Sequence, residues 1–200
     1  MGRAPPARAT VVDVRPSRWR RWVALLPVLI CGCSLEGLSV AWDTSSSSSG
    51  GGDGGYPRIR AEAEDDMKCE LSGRFERVED PLASGGQYVA VPDVGCNNDR
   101  VDCVFQVSEA GTYRIRARVA EGPAKGVDNS FWISVDDKPE PAIRYDFTGA
   151  DFHEDYVSDE KDETGTPLKF ALDPGAHVVT FGCREDGSKL DWVELVRIGP

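Results

Sequence analysis

The chain has two histidines in 200 residues, no Gly-x-Ser-x-Gly nucleophile motif, no Cys-x-x-Cys pair and no long apolar run. Each scarcity excludes something. A bilayer-spanning helix needs roughly 20 apolar residues, and the longest apolar stretch, Trp22–Ile30, is far shorter and interrupted by a proline. Without the nucleophile elbow there is no hydrolase of that class, and without Cys-x-x-Cys a four-thiolate zinc site has little support. Beyond residue 57 no stretch carries a helical period. Positive charge is scarce once the first 32 residues are set aside. They hold six arginines and one aspartate, which leaves 17 basic against 33 acidic side chains in the remainder. That balance argues against nucleic acid and anionic lipid surfaces as partners, and it permits divalent cations and neutral ligands such as sugars.

What is present begins with an arginine-rich segment ending in Arg18, Arg20 and Arg21, the short apolar run, and then Cys31-Gly32-Cys33-Ser34. A basic region, a short hydrophobic region and a small residue describe a secretion signal. The run Leu29-Ile30-Cys31-Gly32 before Cys33 resembles the lipobox of bacterial lipoproteins. The resemblance implies that Cys33 is lipidated and becomes the mature N-terminus; an ordinary cleaved signal without lipid is the alternative. Residues 1–32 are read as the signal peptide and 33–56 as a Ser/Gly-rich linker, with DTSSSSSGGGDGG at 43–55 unable to build a core. The expected location is the bacterial outer membrane or cell surface. Membrane contact would be made only through the lipid anchor.

Residues 57–200 read as one all-β domain. Arg58–Glu64 alternates strictly, and further short strands are predicted around 73–78, 87–91, 101–107, 112–119, 129–136, 143–147 and 168–172. The segments 101–107 and 112–119 read as a hairpin. So do 177–183 and 190–198, joined through Arg-Glu-Asp-Gly, since Asp-Gly between strand patterns is a strong turn signal. Many short strands in about 140 residues predict a β-sandwich. The acidic stretch 151–163 reads as a solvated lid loop. Asp191 stands out as a carboxylate at the start of a strand that otherwise looks like core, and a buried carboxylate needs a partner or a metal.

Several pieces occur in order: Glu62-Ala-Glu64, Ser84-Gly-Gly-Gln-Tyr-Val89, Gly-Thr-Tyr-Arg-Ile, Asn129–Asp136, Pro174-Gly-Ala-His177 and Arg184–Asp191. Together they resemble the family 6 and family 35 carbohydrate-binding modules, which are galactose-binding-like β jelly rolls. The resemblance spans about residues 58–198. It implies that the first and last strands meet around a structural Ca²⁺ held by Glu62, Glu64 and Asp191, with carbonyls from the loop around 76–77. Calcium takes carboxylates mixed with carbonyls readily. The alternative is a charged edge strand in which arginine or lysine pairs with Glu62 and Glu64.

Four cysteines fall in the domain, and an exported chain favours disulfides. Of the three pairings, Cys96–Cys103 would close a short polar loop. Cys69–Cys183 would then join the ends of strands expected to meet, and this is the preferred arrangement.

Sugar binding needs aromatic faces with polar groups around them. At the positions the family uses in its loop cleft this chain has Val91 for a tyrosine and Lys189 for an asparagine. Its middle loop offers Tyr145, Phe147, Phe152 and Tyr156 in place of a tryptophan. Trp132 and Trp192 fall on strand faces opposite the core residues and are the main candidates for the ligand surface. Tyr145, Tyr156 and Lys189 complete the set. The expected function is non-catalytic binding of a polysaccharide or glycan by a calcium-stabilised domain displayed on a lipid anchor, with no enzymatic activity. The alternative is a structural or protein-interaction lipoprotein of the same fold.

Overall fold

The computed structural model describes residues 57–200. The secretion signal, Cys33 and the Ser/Gly linker lie outside the described residues. Twelve strands form two antiparallel sheets. The seven-stranded sheet contains β1 (Arg58–Glu62), β3 (Glu76–Glu79), β4 (Gln87–Ala90), β6 (Gly111–Ala120), β9 (His153–Tyr156), β10 (Phe170–Leu172) and β12 (Lys189–Gly199). The five-stranded sheet runs β2 (Cys69–Ser72), β5 (Arg100–Val107), β11 (Gly175–Cys183), β7 (Ser130–Val135), β8 (Lys138–Asp146).

Period-two alternation builds the space between them. Val101, Cys103, Phe105 and Val107 point inward from β5, and Tyr113, Ile115, Ala117 and Val119 from β6. They meet Phe131, Ile133, Phe181, Val193 and Leu195 in one continuous core. The expected β-sandwich jelly roll is the observed architecture.

Both predicted hairpins are wrong. β5 pairs with β2 and β11, while β6 pairs with β12, β9 and β10, so residues 108–110 cross from one sheet to the other. β11 and β12 likewise belong to different sheets. Alternation fixes which face of a strand is buried, and that face is the same whether the next strand lies beside it or across the core. The Asp-Gly turn is real, but the Gly187 N–H donates to the Val91 carbonyl at 2.8 Å and so anchors a crossover.

The acidic stretch holds a strand as well as loop. β9 pairs with β6, and Arg116 reaches Glu154 on it at 3.0 Å. This strand is held by ladder bonds and ion pairs with no apolar alternation, which is why the sequence pattern passed it over.

The cysteines bond differently from the expected pairing. The disulfides are Cys69–Cys103 and Cys96–Cys183. Antiparallel pairing of β2 with β5 sets Cys69 directly opposite Cys103. The Cys183 N–H bonds the Asp99 carbonyl at 2.8 Å, which brings the loop carrying Cys96 to the end of β11. Cys69 opens β2 and Cys183 ends β11, both in the five-stranded sheet, whereas the first and last strands meet in the other sheet.

Candidate functional site

β1 does lie along β12, with Arg58 opposite Val196 and Glu62 opposite Trp192. A register irregularity between Leu190 and Trp192 makes Asp191 an extra residue in the ladder to β6. Its carbonyl accepts from Ala63 N–H at 2.9 Å, and its carboxylate is fully buried. Glu62, Glu64 and Asp191 each present an oxygen within 4.8 Å of the others. The Ser84 N–H donates to both Asp191 oxygens at 3.0 and 3.1 Å, and Arg118 pairs with the same carboxylate. Arg60 Nε lies 3.0 Å from Glu62 Oε1.

Two oxygens remain buried without a partner, Glu62 Oε2 and Glu64 Oε2. Burial raises the Glu64 pKa, as do the neighbouring carboxylates of Glu62 and Asp191, against a backbone hydrogen bond that lowers it. Burial likewise raises Asp191 against the opposing pull of Ser84 N–H and Arg118. The backbone at Gly85 (φ 69°) runs so close that a Cβ there would come within 2.9 Å of Glu64 Oε1. Three carboxylates, two of them with orphaned oxygens, fit a hard divalent cation with oxygen ligands. Elements of the charged-edge alternative are also present, in Arg60 and Arg118.

The aromatic candidates are not gathered in one place. Trp132 is 41% exposed on the outer face of the five-stranded sheet. A lateral row across that face reads Arg144, Trp132, Gly182, Arg100. The strands run so close here that a Cβ on Gly182 would come to 3.3 Å from Trp132 Cβ, and the glycine sets no side chain beside it. Arg184 sits 5.8 Å from the ring centroid. The flanking arginines are ion-paired, Arg144 with Asp146 at 2.6 Å, Arg100 with Asp102 at 2.6 Å and Arg184 with Glu185.

Trp192 faces away from the core, as expected, but is only 1% exposed. Arg60 and Arg116 close over it at 4.1 and 5.4 Å from the ring centroid, so it offers no binding surface. Tyr145 is also buried; its side chain points into the sandwich and its hydroxyl donates to Asp155 at 3.0 Å, linking β8 to β9. Burial, with Asp155 adding to it, holds the Tyr145 hydroxyl well above the usual phenol range. Tyr156 is half-buried on the seven-stranded sheet under Arg114, 5.8 Å from its ring. Lys189 Nζ lies 5.4 Å from the Tyr88 ring and 5.9 Å from that of Phe152. Neither residue shares a surface with Trp132.

One cavity went unnoticed in the sequence. A space of about 400 Å³ is lined by Asn129, Asp146, Phe147, Thr148, His153 and Asp155, between the ends of β8 and β9. These positions come from the start of β7, the end of β8 and β9. No linear motif joins them; the pairing of β9 with β6 brings the last two into place.

No protein-family model matches the chain, and no curated protein does. Solved structures do. A family 35 carbohydrate-binding module from Clostridium thermocellum superposes with a TM-score of 0.54 at 24% identity, covering 69% of this chain and 98% of that one. The fold is a carbohydrate-binding-module jelly roll. A second family 35 module from the same organism matches at TM-score 0.51 and 15% identity, over 70% of this chain and 97% of the other. The Podospora anserina GH26-CBM35 β-(1,4)-mannanase gives TM-score 0.55 at 16% identity over 72% of this chain, which spans only 28% of that enzyme. The similarity to isolated modules is thus nearly end to end, while the similarity to the enzyme is to a fraction of it.

Proposed function

We propose that this protein binds carbohydrate without catalysis, and that the outer face of the five-stranded sheet at Trp132 is the contact surface. The observation that carries the reading is the exposed indole, with no side chain on the neighbouring Gly182 to cover it. An aromatic face packs on the apolar face of a pyranose ring. The ion pairs around it, Arg144–Asp146 and Arg100–Asp102, present donors and acceptors together, which suits the hydroxyls of an uncharged sugar. The fold shared with carbohydrate-binding modules supports the reading.

In this proposal Glu62, Glu64 and Asp191 hold a structural Ca²⁺ that ties β1 to β12 and neutralises the crowded carboxylates. The orphaned oxygens of Glu62 and Glu64 support it. Lipidation at Cys33 would anchor the domain to a bacterial outer membrane or cell surface, with residues 33–56 as the spacer.

The test is a polysaccharide and glycan panel screened with the purified protein and with Trp132→Ala. Binding by the parent that drops at least tenfold in the variant, with unchanged melting temperature, supports the reading. Binding that survives the substitution moves the site elsewhere, and silence across the panel favours a protein partner.

A further inference from the structure

The cavity between β8 and β9 adjoins the Trp132 face at Asp146, which lines it, but its other lining residues bring a chemistry of their own. Asp155 accepts from the Tyr145 hydroxyl at 3.0 Å and from the Tyr156 N–H at 2.8 Å. None of the ion pairs among the described residues reaches it, whereas Asp146 pairs with Arg144, which also holds Glu160. The cavity therefore carries one uncompensated carboxylate in a chain that is already acidic. His153 Nδ1 lies 3.0 Å from the Asp151 carbonyl. A carbonyl only accepts, so Nδ1 bears a proton and Nε2 is left for a ligand hydroxyl. Asn129 uses its backbone N–H on Glu185, and its carboxamide stays available with one acceptor and two donors. Phe147, only 3% exposed, closes the floor of the cavity beside the His153 ring, 6.4 Å between centroids.

The lining thus combines a buried aromatic floor, an amide, a hydroxyl at Thr148, an imidazole and an anionic acceptor. The space, about 400 Å³, is of the size that holds one small ligand. Its acceptors outnumber its donors, so the matching ligand is rich in donors and carries no negative charge. We propose that this cavity is a second binding pocket, for a single terminal sugar ring without acid groups, and that it binds an amino sugar best. The protonated amine would meet Asp155, and the hydroxyls Asn129 and His153. The inference does not depend on the Trp132 surface, and either can fail alone.

The experiment is a set of NMR titrations on the whole protein with glucosamine, glucose, glucuronic acid and cyclohexylamine. Expected are shifts at Asn129, Thr148 and His153 amides, affinity in the order glucosamine, glucose, glucuronic acid, and cyclohexylamine weaker than glucosamine. Asp155→Asn should weaken glucosamine by roughly tenfold or more, the scale of one charged hydrogen bond, while glucose changes less. Asn129→Ala, which leaves the Tyr145 hydrogen bond intact, should weaken both sugars. Trp132→Ala should change neither. Glucuronic acid binding as well as glucosamine, cyclohexylamine matching it, or no shift at the cavity with any probe would each overturn the proposal.

Discussion

Asp191 accepts a ladder bond from Ala63 through its carbonyl while its carboxylate turns toward Glu62 and Glu64. One residue therefore fixes the register of the first and last strands and gathers three negative charges at their junction. The crowding predicts opposite signs with and without metal. A cation at a hundredfold excess over its Kd stabilises by about 2.7 kcal/mol, so excess EDTA should lower the melting temperature by roughly 8 °C in a domain of this size. Glu64→Gln should abolish that response. In EDTA the same variant should melt higher than the parent, because it removes one of three crowded negative charges. Calorimetry with calcium and with EDTA reads both, and a parent indifferent to EDTA would falsify the calcium site.

The two tryptophans should separate cleanly. Trp192→Ala removes a buried indole from between two arginines and should cost about 3–5 kcal/mol. Trp132→Ala removes an exposed one and should change stability by less than about 1 kcal/mol. Urea denaturation of both variants checks this, and comparable losses would mean that Trp132 is packed as core.

The disulfides give a mass-spectrometric test. Non-reducing digestion should yield peptides joining Cys69 to Cys103 and Cys96 to Cys183. Cys183→Ser should free one thiol within the domain, at Cys96, and destabilise it by roughly 2–5 kcal/mol. Recovery of a Cys96–Cys103 peptide would contradict the observed pairing.

His177 supplies a pH dependence. Its Nδ1 lies 2.7 Å from Asp136 and its Nε2 2.7 Å from the Asp173 carbonyl, so both ring nitrogens face acceptors. Burial disfavours the charged ring, but these acceptors outweigh it and raise the pKa above the ordinary 6.5. Burial also opposes ionisation of Asp136, yet bonding to His177 and the Val178 N–H lowers its pKa below the ordinary 3.8. Stability from the raised His177 is fully present below pH 6.5 and is lost as pH rises through the higher folded value. That from Asp136 is present above pH 3.8 and is lost below it. The pair therefore contributes most between these limits. Asp136 is partly exposed and solvent screens the pair, so its worth is under about 1 kcal/mol. Melting curves of the parent and His177→Gln should differ most near pH 5 and converge above pH 8.

The fold was readable because inward residues recur at every second position in β5, β6, β7 and β11, and only a sandwich buries so many such faces. Connectivity was not, since alternation carries no information about which sheet a strand joins; hence the two false hairpins and the mispaired cysteines. The carboxylate cluster could be anticipated from Glu62, Glu64 and Asp191, and the structure brings them together. Trp132 and Trp192 looked alike on paper, for each faces away from the core. What separates them is the neighbouring column: Gly182 sets no side chain beside Trp132, while Arg60 and Arg116 close over Trp192. The cavity was illegible because its side chains come from three strands with no shared motif.

Whatever precedes residue 57 enters the domain through β1, whose Arg58 end lies beside the Val196 end of β12 and whose Glu62 end meets the carboxylate cluster. A pull on that leading segment, resisted by a ligand held elsewhere on the domain, draws β1 along its own length. The ladder to β12 is then loaded in shear, and the junction at Glu62, Glu64 and Asp191 sits where the strand would slip last. A cation there would serve as a mechanical pin, raising the force at which the domain lets go.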